Sequence, residues 1–123
     1  MLVRHLTGDP PAQARAATRL LAGAERLLLA DLIFAETLYV LESFYELDRR
    51  RVAEVMRAVI AFPAIAVLDA ALLLRALELH ERHGLDFAEA YLVASAEASG
   101  VEAVASFDRA LDRVETVRRL EPA

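Results

Sequence analysis

Residues 84–108 read GLDFAEAYLVASAEASGVEAVASFD, and this stretch decides the fold class. Apolar residues recur at helical spacing from Asp86 to about Ser99, and Gly100 suits the residue that follows a helix. The apolar run Val101–Ser106 that comes next is typical of a buried strand. A helix followed at once by a short buried strand indicates an α/β fold with a mainly parallel sheet.

The same alternation continues through the rest of the chain. Further strands are predicted at residues 26–30, 65–68 and 114–120, and further helices at 1–6, 9–23, 31–47, 48–62 and 69–84. Asp9, Asp31, Asp48 and Asp69 are predicted as helix N-caps, the first of them followed by Pro10. The length predicts a single domain over residues 1–123. Because a parallel sheet usually begins with a strand and this chain opens on a helix, we expect a strand to be missing upstream of Met1.

Composition narrows the class of protein. The 123 residues are 57% hydrophobic, which is high enough that we expect an interface as well as a core, and hence a homodimer. The absence of Cys excludes disulfides and thiolate zinc sites. No segment has the pattern of a signal peptide or a membrane span, so the expected location is the cytoplasm, without membrane contact. The net charge of −5 argues against bulk electrostatic binding of nucleic acid, but not against an acidic metal site with a local basic rim.

Lone acids stand beside apolar residues in three places. These are Phe34-Ala35-Glu36, the segment LDFAEA at 85–90, and Ser106-Phe107-Asp108. An acid is costly to bury unless it is hydrogen-bonded, paired or bound to a cation. Acids grouped in one fold would repel one another, and a divalent metal is the usual remedy. A metal held by carboxylates implies phosphate chemistry.

Each of these acids also has a purely structural explanation. Glu36 shares a helix face with apolar residues and is predicted to point inward, with Glu42 in solvent, but it could also lie at the edge of the apolar stripe. Asp86 and Glu89 have the spacing of a capping box, although Glu89 also faces apolar residues. Asp108 follows a strand at the end of the sheet where ligands bind, but could equally be the N-cap of a helix.

Other candidate motifs are weaker. His80 and His83 have a spacing that could bind zinc, but without a third ligand nearby a structural role is favoured. The run Arg49-Arg50-Arg51 is interpreted as a solvated helix start rather than an RNA-binding patch. The sequence has no Gly-rich phosphate loop and no nucleophile elbow, so nucleophilic catalysis has no candidate residue.

Taken in order, these segments resemble the PIN-domain family, and in particular the small VapC-type toxin ribonucleases. The resemblance covers most of the chain and is carried by VRHLTGD at 3–9, FAETLYVLES at 34–43, residues 84–96 and ASFDR at 105–109. It implies a three-layer α/β/α fold with a five-stranded parallel sheet. It also implies a ribonuclease with four acids around Mg²⁺ or Mn²⁺, and an antitoxin protein that blocks the site.

Carried over by position, Glu36 matches the family's second acid and Asp108 the fourth. Glu89 stands where the third acid is normally an Asp, and Asp86 is a nearby acid that could take its place as a metal ligand. Ser106 is the hydroxyl two residues before the fourth acid. The first acid belongs to a strand ending in Asp-Thr-Asn that should precede residue 1 and is absent. We attribute its absence to a start further upstream rather than to a degenerate sequence.

Three hypotheses follow. The first is a metal-dependent endoribonuclease, the toxin of a toxin–antitoxin pair, with Glu36, Glu89 and Asp108 as catalytic metal ligands and Arg4 and Arg109 steering the RNA backbone. The second is a catalytically inactive PIN-like module that binds an antitoxin or another partner protein, as the missing first acid suggests. The third is a purely helical protein whose acids are all helix caps, which predicts no parallel sheet.

Overall fold

The computed structural model describes residues 2–8, 11–23 and 26–122, without the side chains of residues 2, 4 and 5. The predicted cap at Asp9 and Pro10 lies outside these residues. The described chain forms six α-helices, four short strands and one 3-10 helix. In chain order they are α1 (Leu2–Thr7), α2 (Pro11–Gly23), β1 (Leu27–Leu28), α3 (Asp31–Ser43), α4 (Arg49–Ala61), β2 (Ile65–Ala66), α5 (Ala70–Arg82), α6 (Phe87–Ser99), β3 (Ala103–Ala105), the 3-10 helix (Arg109–Arg113) and β4 (Arg118–Leu120).

The predicted alternation of helices and strands is confirmed. Each predicted strand contains an observed strand that is shorter than expected. At the end of the chain a turn and a bend occupy residues 115–117, so β4 starts only at Arg118. The presence of parallel strands shows that the purely helical hypothesis is wrong.

The strands form two separate parallel ladders. In the first ladder β1 pairs with β2, with Leu27 opposite Ile65. In the second ladder β3 pairs with β4, with Val104 opposite Arg119. Among the described residues no strand joins the two ladders. Four strands in two pairs therefore stand where the resemblance implies five strands in one sheet.

Helix starts agree with the sequence at two of the predicted caps. The carboxylates of Asp48 and Asp69 each accept a hydrogen bond from the backbone N–H three residues on, at 2.8 and 3.1 Å. Asp31 is not a cap: it is the first residue of α3, Ala30 is the N-cap residue, and no side-chain cap bond forms. The prediction for Asp31 is wrong because its carboxylate bonds to a tyrosine of another helix.

The core lies mainly between the helices. Helices α5 and α6 are joined by the turn at residues 83–86 and pack against each other. Gly84 in this turn has φ +68°, a conformation that favours glycine, and an added Cβ would lie 2.9 Å from the Arg113 guanidinium. The largest fully buried apolar side chains are Phe34, Leu41, Met56, Leu73, Leu77, Leu79, Leu85 and Leu111. No described helix combines the length and apolar character needed to cross a lipid bilayer.

Candidate functional site

Helix α3 exposes Glu36 and directs Glu42 toward the interior. The helix buries Phe34, Leu38 and Leu41, which are spaced four and three residues apart on one side. Glu36 lies off this side and is exposed, whereas the Glu42 side chain is only 22% exposed and reaches a buried histidine. The prediction that Glu36 points inward and Glu42 lies in solvent is therefore wrong.

The apolar residues around Glu36 explain this error. Ile33, Tyr39 and Phe44 are the apolar residues near Glu36 along the chain, and they are 47%, 68% and 75% exposed rather than buried. Apolar residues thus lie both on the core side of α3 and on its exposed side. The apolar character of a residue does not by itself say on which of these sides it lies.

Glu36 lies on a groove between α3 and the start of α6. The groove has a volume of about 630 Å³, and its acidic lining consists of Glu36, Glu42 and Asp86. Apolar side chains form much of the rest of its wall, including Leu32 and Tyr39. The Asp86 side chain is 78% exposed. The structure thus brings two of the predicted metal ligands, Glu36 and Asp86, to one groove.

A second cavity of about 390 Å³ lies between the same two helices. It shares four lining residues with the groove, and it adds Asp31 and Tyr91. The Tyr91 hydroxyl donates a hydrogen bond to Oδ2 of Asp31. This bond, together with burial and the Asp31 charge, raises the pKa of the Tyr91 phenol above its ordinary value. No sequence pattern predicts this contact, because the two residues are 60 positions apart.

Two carboxylate oxygens at the N-terminal turns of α3 and α6 are buried without a hydrogen-bond partner in the described structure. They are Oδ1 of Asp31 and Oε2 of Glu89. Asp86 makes no side-chain cap hydrogen bond, so the predicted capping box with Glu89 does not form. A buried carboxylate oxygen without a donor is unfavourable, and a bound cation is one way to satisfy it. Capping therefore does not account for Glu89.

Asp108, in contrast, has the capping role that was its structural alternative. Its Oδ1 accepts a hydrogen bond from Ala110 N at 2.9 Å at the start of the 3-10 helix, and its own N–H donates to Ser106 Oγ at 3.0 Å. Arg109 is exposed beside it. The side chain of Arg4, which is predicted to steer the RNA backbone, lies outside the described residues.

The predicted acids do not gather in one cluster. Over residues 2–8, 11–23 and 26–122, no group of three or more His, Asp or Glu side chains could hold a metal ion. Glu36 follows β1 and Asp108 follows β3, and these strands belong to different ladders. No strand pairing in the described chain fixes the separation of the two acids. Their role as ligands, with Glu89, remains a prediction.

A buried polar network lies beside the groove. His80 is 2% exposed; its Nδ1 donates to the Leu85 carbonyl at 2.6 Å and its Nε2 bonds to Glu42. Arg49 donates to the same carbonyl at 3.0 Å, so this arginine is not part of a wholly solvated helix start. A signal was present in the sequence, because His80 stands three residues after Leu77 on the apolar stripe of α5.

A family model for the PIN domain matches residues 1–117. No curated protein and no solved structure matches the chain significantly.

Proposed function

The chain belongs to the PIN-domain family, and on this basis we propose that it is a metal-dependent endoribonuclease. PIN domains are commonly nucleases and generally use divalent metals such as Mg²⁺. The α/β arrangement of helices with short parallel strands is consistent with that family. The RNA substrate, the Mg²⁺ or Mn²⁺ requirement and the toxin role are our proposals.

The observation that carries the metal part of the proposal is Oε2 of Glu89. This oxygen is buried without a partner at a position that matches an acid of the family. Carboxylate oxygens are the ligands that Mg²⁺ and Mn²⁺ prefer. The carboxylates of Glu36, Glu89 and Asp108, with Asp86 as an auxiliary ligand, are of the donor type that suits a divalent ion, although the described structure does not bring three of them into one cluster.

The bound ion would supply an activated water and would neutralise charge that develops on the phosphodiester. The chain's own residues would place the ligands. Ser106 accepts the Asp108 N–H and so shapes the turn that presents this carboxylate. The bond from Ala110 occupies Oδ1 of Asp108, which leaves Oδ2 outside the cap. Arg109 is exposed next to it, and in this proposal it would contact the RNA backbone.

The groove between α3 and the start of α6 also suits a partner protein. Its acidic side chains and exposed apolar walls fit a segment that carries both basic and apolar side chains, and we propose a cognate antitoxin as this partner. Such a pair would act in the cytoplasm. Exposed apolar residues on α3 and directly after it, which include Leu32 at 77% and Phe44 at 75%, support a homodimer as a further proposal.

The test is cleavage of single-stranded RNA by the purified protein with Mn²⁺ or Mg²⁺ and with EDTA. We expect cleavage that EDTA abolishes and that Glu36→Gln reduces, whereas Glu115→Gln, at an exposed position, leaves it unchanged. Cleavage that continues undiminished in EDTA would rule out the metal mechanism. Absence of cleavage, together with no rise in Tm on adding Mn²⁺, would favour the inactive binding module.

A further inference from the structure

Glu42, His80 and Arg49 form a polar network that the proposed reaction does not use. They lie on α3, α5 and at the start of α4. A carbonyl can only accept, so the bond from His80 to Leu85 assigns a proton to Nδ1. A second proton must lie between Nε2 and the Glu42 carboxyl. Both ring nitrogens are thus engaged, and His80 is not free to act as a base.

The network ends on the turn that starts α6. The Leu85 carbonyl accepts from His80 at 2.6 Å and from Arg49 at 3.0 Å, which uses both of its lone pairs. Arg49 also donates to the His80 carbonyl at 3.3 Å, and its Nη2 lies 3.6 Å from Oδ1 of Asp86. The Phe87 ring meets the His80 ring edge-on, with centroids 6.0 Å apart. The beginning of α6 is therefore held directly from α4 and α5, and through His80 from Glu42 of α3.

Stability alone does not explain such a network. Removing two ionisable groups from water carries a large desolvation cost, and well-packed apolar residues of similar volume often stabilise a fold as well or better. What the network supplies is a defined geometry, because its hydrogen bonds are directional and join three helices to one turn.

We propose that Glu42 and His80 are positioning residues, which fix the start of α6 and thereby place Asp86 and Glu89 relative to Glu36 on α3. This inference rests on the proposed function, since it treats these acids as metal ligands. It assigns no contact with RNA or metal to His80.

The test compares two substitutions at Glu42 in the full chain. Glu42→Gln keeps the geometry, because its amide can donate to Nε2 while Nδ1 still donates to Leu85. Glu42→Ala removes the bond to His80. If the alanine variant does not fold, Glu42→Asp, whose side chain is one methylene shorter, is used in its place. The matched control is Glu81→Ala, which removes the 2.7 Å ion pair to Arg57 and lies on α5, the helix that carries His80. Glu81 and Glu42 are equally exposed, at 22%.

Two readouts are used, and neither depends on catalysis. The Kd for Mn²⁺, measured by calorimetry, should rise about tenfold in Glu42→Ala, as for other residues that support metal ligands, and stay near the wild-type value in Glu42→Gln and Glu81→Ala. Amide hydrogen exchange of residues 84–89 in the metal-free protein should be faster in Glu42→Ala than in Glu81→Ala.

The results separate this inference from the proposed function. A wild-type protein that binds no Mn²⁺ contradicts the proposed function, and the exchange data then decide alone whether the pair fixes the turn. Equal exchange and equal Kd in Glu42→Ala and Glu81→Ala, with Mn²⁺ binding intact, would overturn the positioning role and leave the nuclease proposal standing.

Discussion

Replacing Glu89 by Gln should stabilise the metal-free protein and weaken its response to metal. Oε2 of Glu89 is buried without a hydrogen-bond donor, and a buried unsatisfied polar group costs about 1–3 kcal/mol. The amide has nearly the same shape and no charge. We therefore expect the metal-free variant to be more stable than the wild type by about 1 kcal/mol, at the low end of that range, because the amide itself is still polar.

Metal should reverse this order. At a free Mn²⁺ concentration of about 100 times the wild-type Kd, binding stabilises the folded wild type by about 2.7 kcal/mol. An affinity about a hundredfold weaker reduces the gain of the variant to about 0.4 kcal/mol. The wild type is then more stable by about 2.7 − (1 + 0.4), or roughly 1.3 kcal/mol.

The assay is urea unfolding with EDTA and with Mn²⁺, and Glu115→Gln serves as the control. This exposed substitution should change stability by less than about 0.5 kcal/mol under both conditions. The reasoning fails if Glu89→Gln destabilises the metal-free protein by 1 kcal/mol or more and responds to Mn²⁺ as the wild type does.

Two further predictions concern pH. Arg75 donates to Glu97 at 2.8 and 2.9 Å, and this pairing lowers the pKa of Glu97 from its ordinary 4.5. The stabilisation that the Arg75–Glu97 pair gives is therefore complete above pH 4.5 and is lost as the pH falls through the lowered pKa of Glu97. Glu97→Gln should cost about 2 kcal/mol of unfolding free energy at pH 7, and progressively less in urea melts below pH 4.5. A cost that stays constant with pH would contradict this prediction. Because the pKa of Tyr91 is raised, this phenol ionises above its ordinary value of 10.0. The stabilisation given by its hydrogen bond to Asp31 is complete below pH 10.0 and is lost as the pH rises through the raised pKa. In an absorbance titration of the tyrosines, Tyr91→Phe should remove the latest phase, and a late phase that persists in the variant would refute the assignment.

The sequence was sufficient for the order of elements. The structure agrees with the local signals, which are the periodicity of the hydrophobic residues, the glycines at 84 and 100, and the caps at Asp48 and Asp69. The family could also be predicted, because its motifs keep their order along the chain.

The orientation of the acids could not be predicted in the same way. Which side of α3 is buried depends on the parts of the fold that pack against the helix. The prediction from the sequence therefore puts Glu36 and Glu42 on the wrong sides. The failed capping box at Asp86 and Glu89 has a similar cause. The turn before α6 is held by Arg49 and His80, which are distant in sequence, rather than by its own side chains.

The two ladders differ in how much chain each must close. Leu27 and Ile65 are 38 residues apart (65 − 27), and Ala103 and Arg118 are 15 apart (118 − 103). Loop-closure entropy grows as (3/2)RT ln n, so the β1–β2 ladder carries an extra cost of about 0.8 kcal/mol. We expect the carboxyl-terminal ladder to form earlier during folding. Helix α3 lies inside the longer loop and Asp108 inside the shorter one. Helix α3 would therefore take its final place later, and Glu36 would reach the position from which it can act after Asp108.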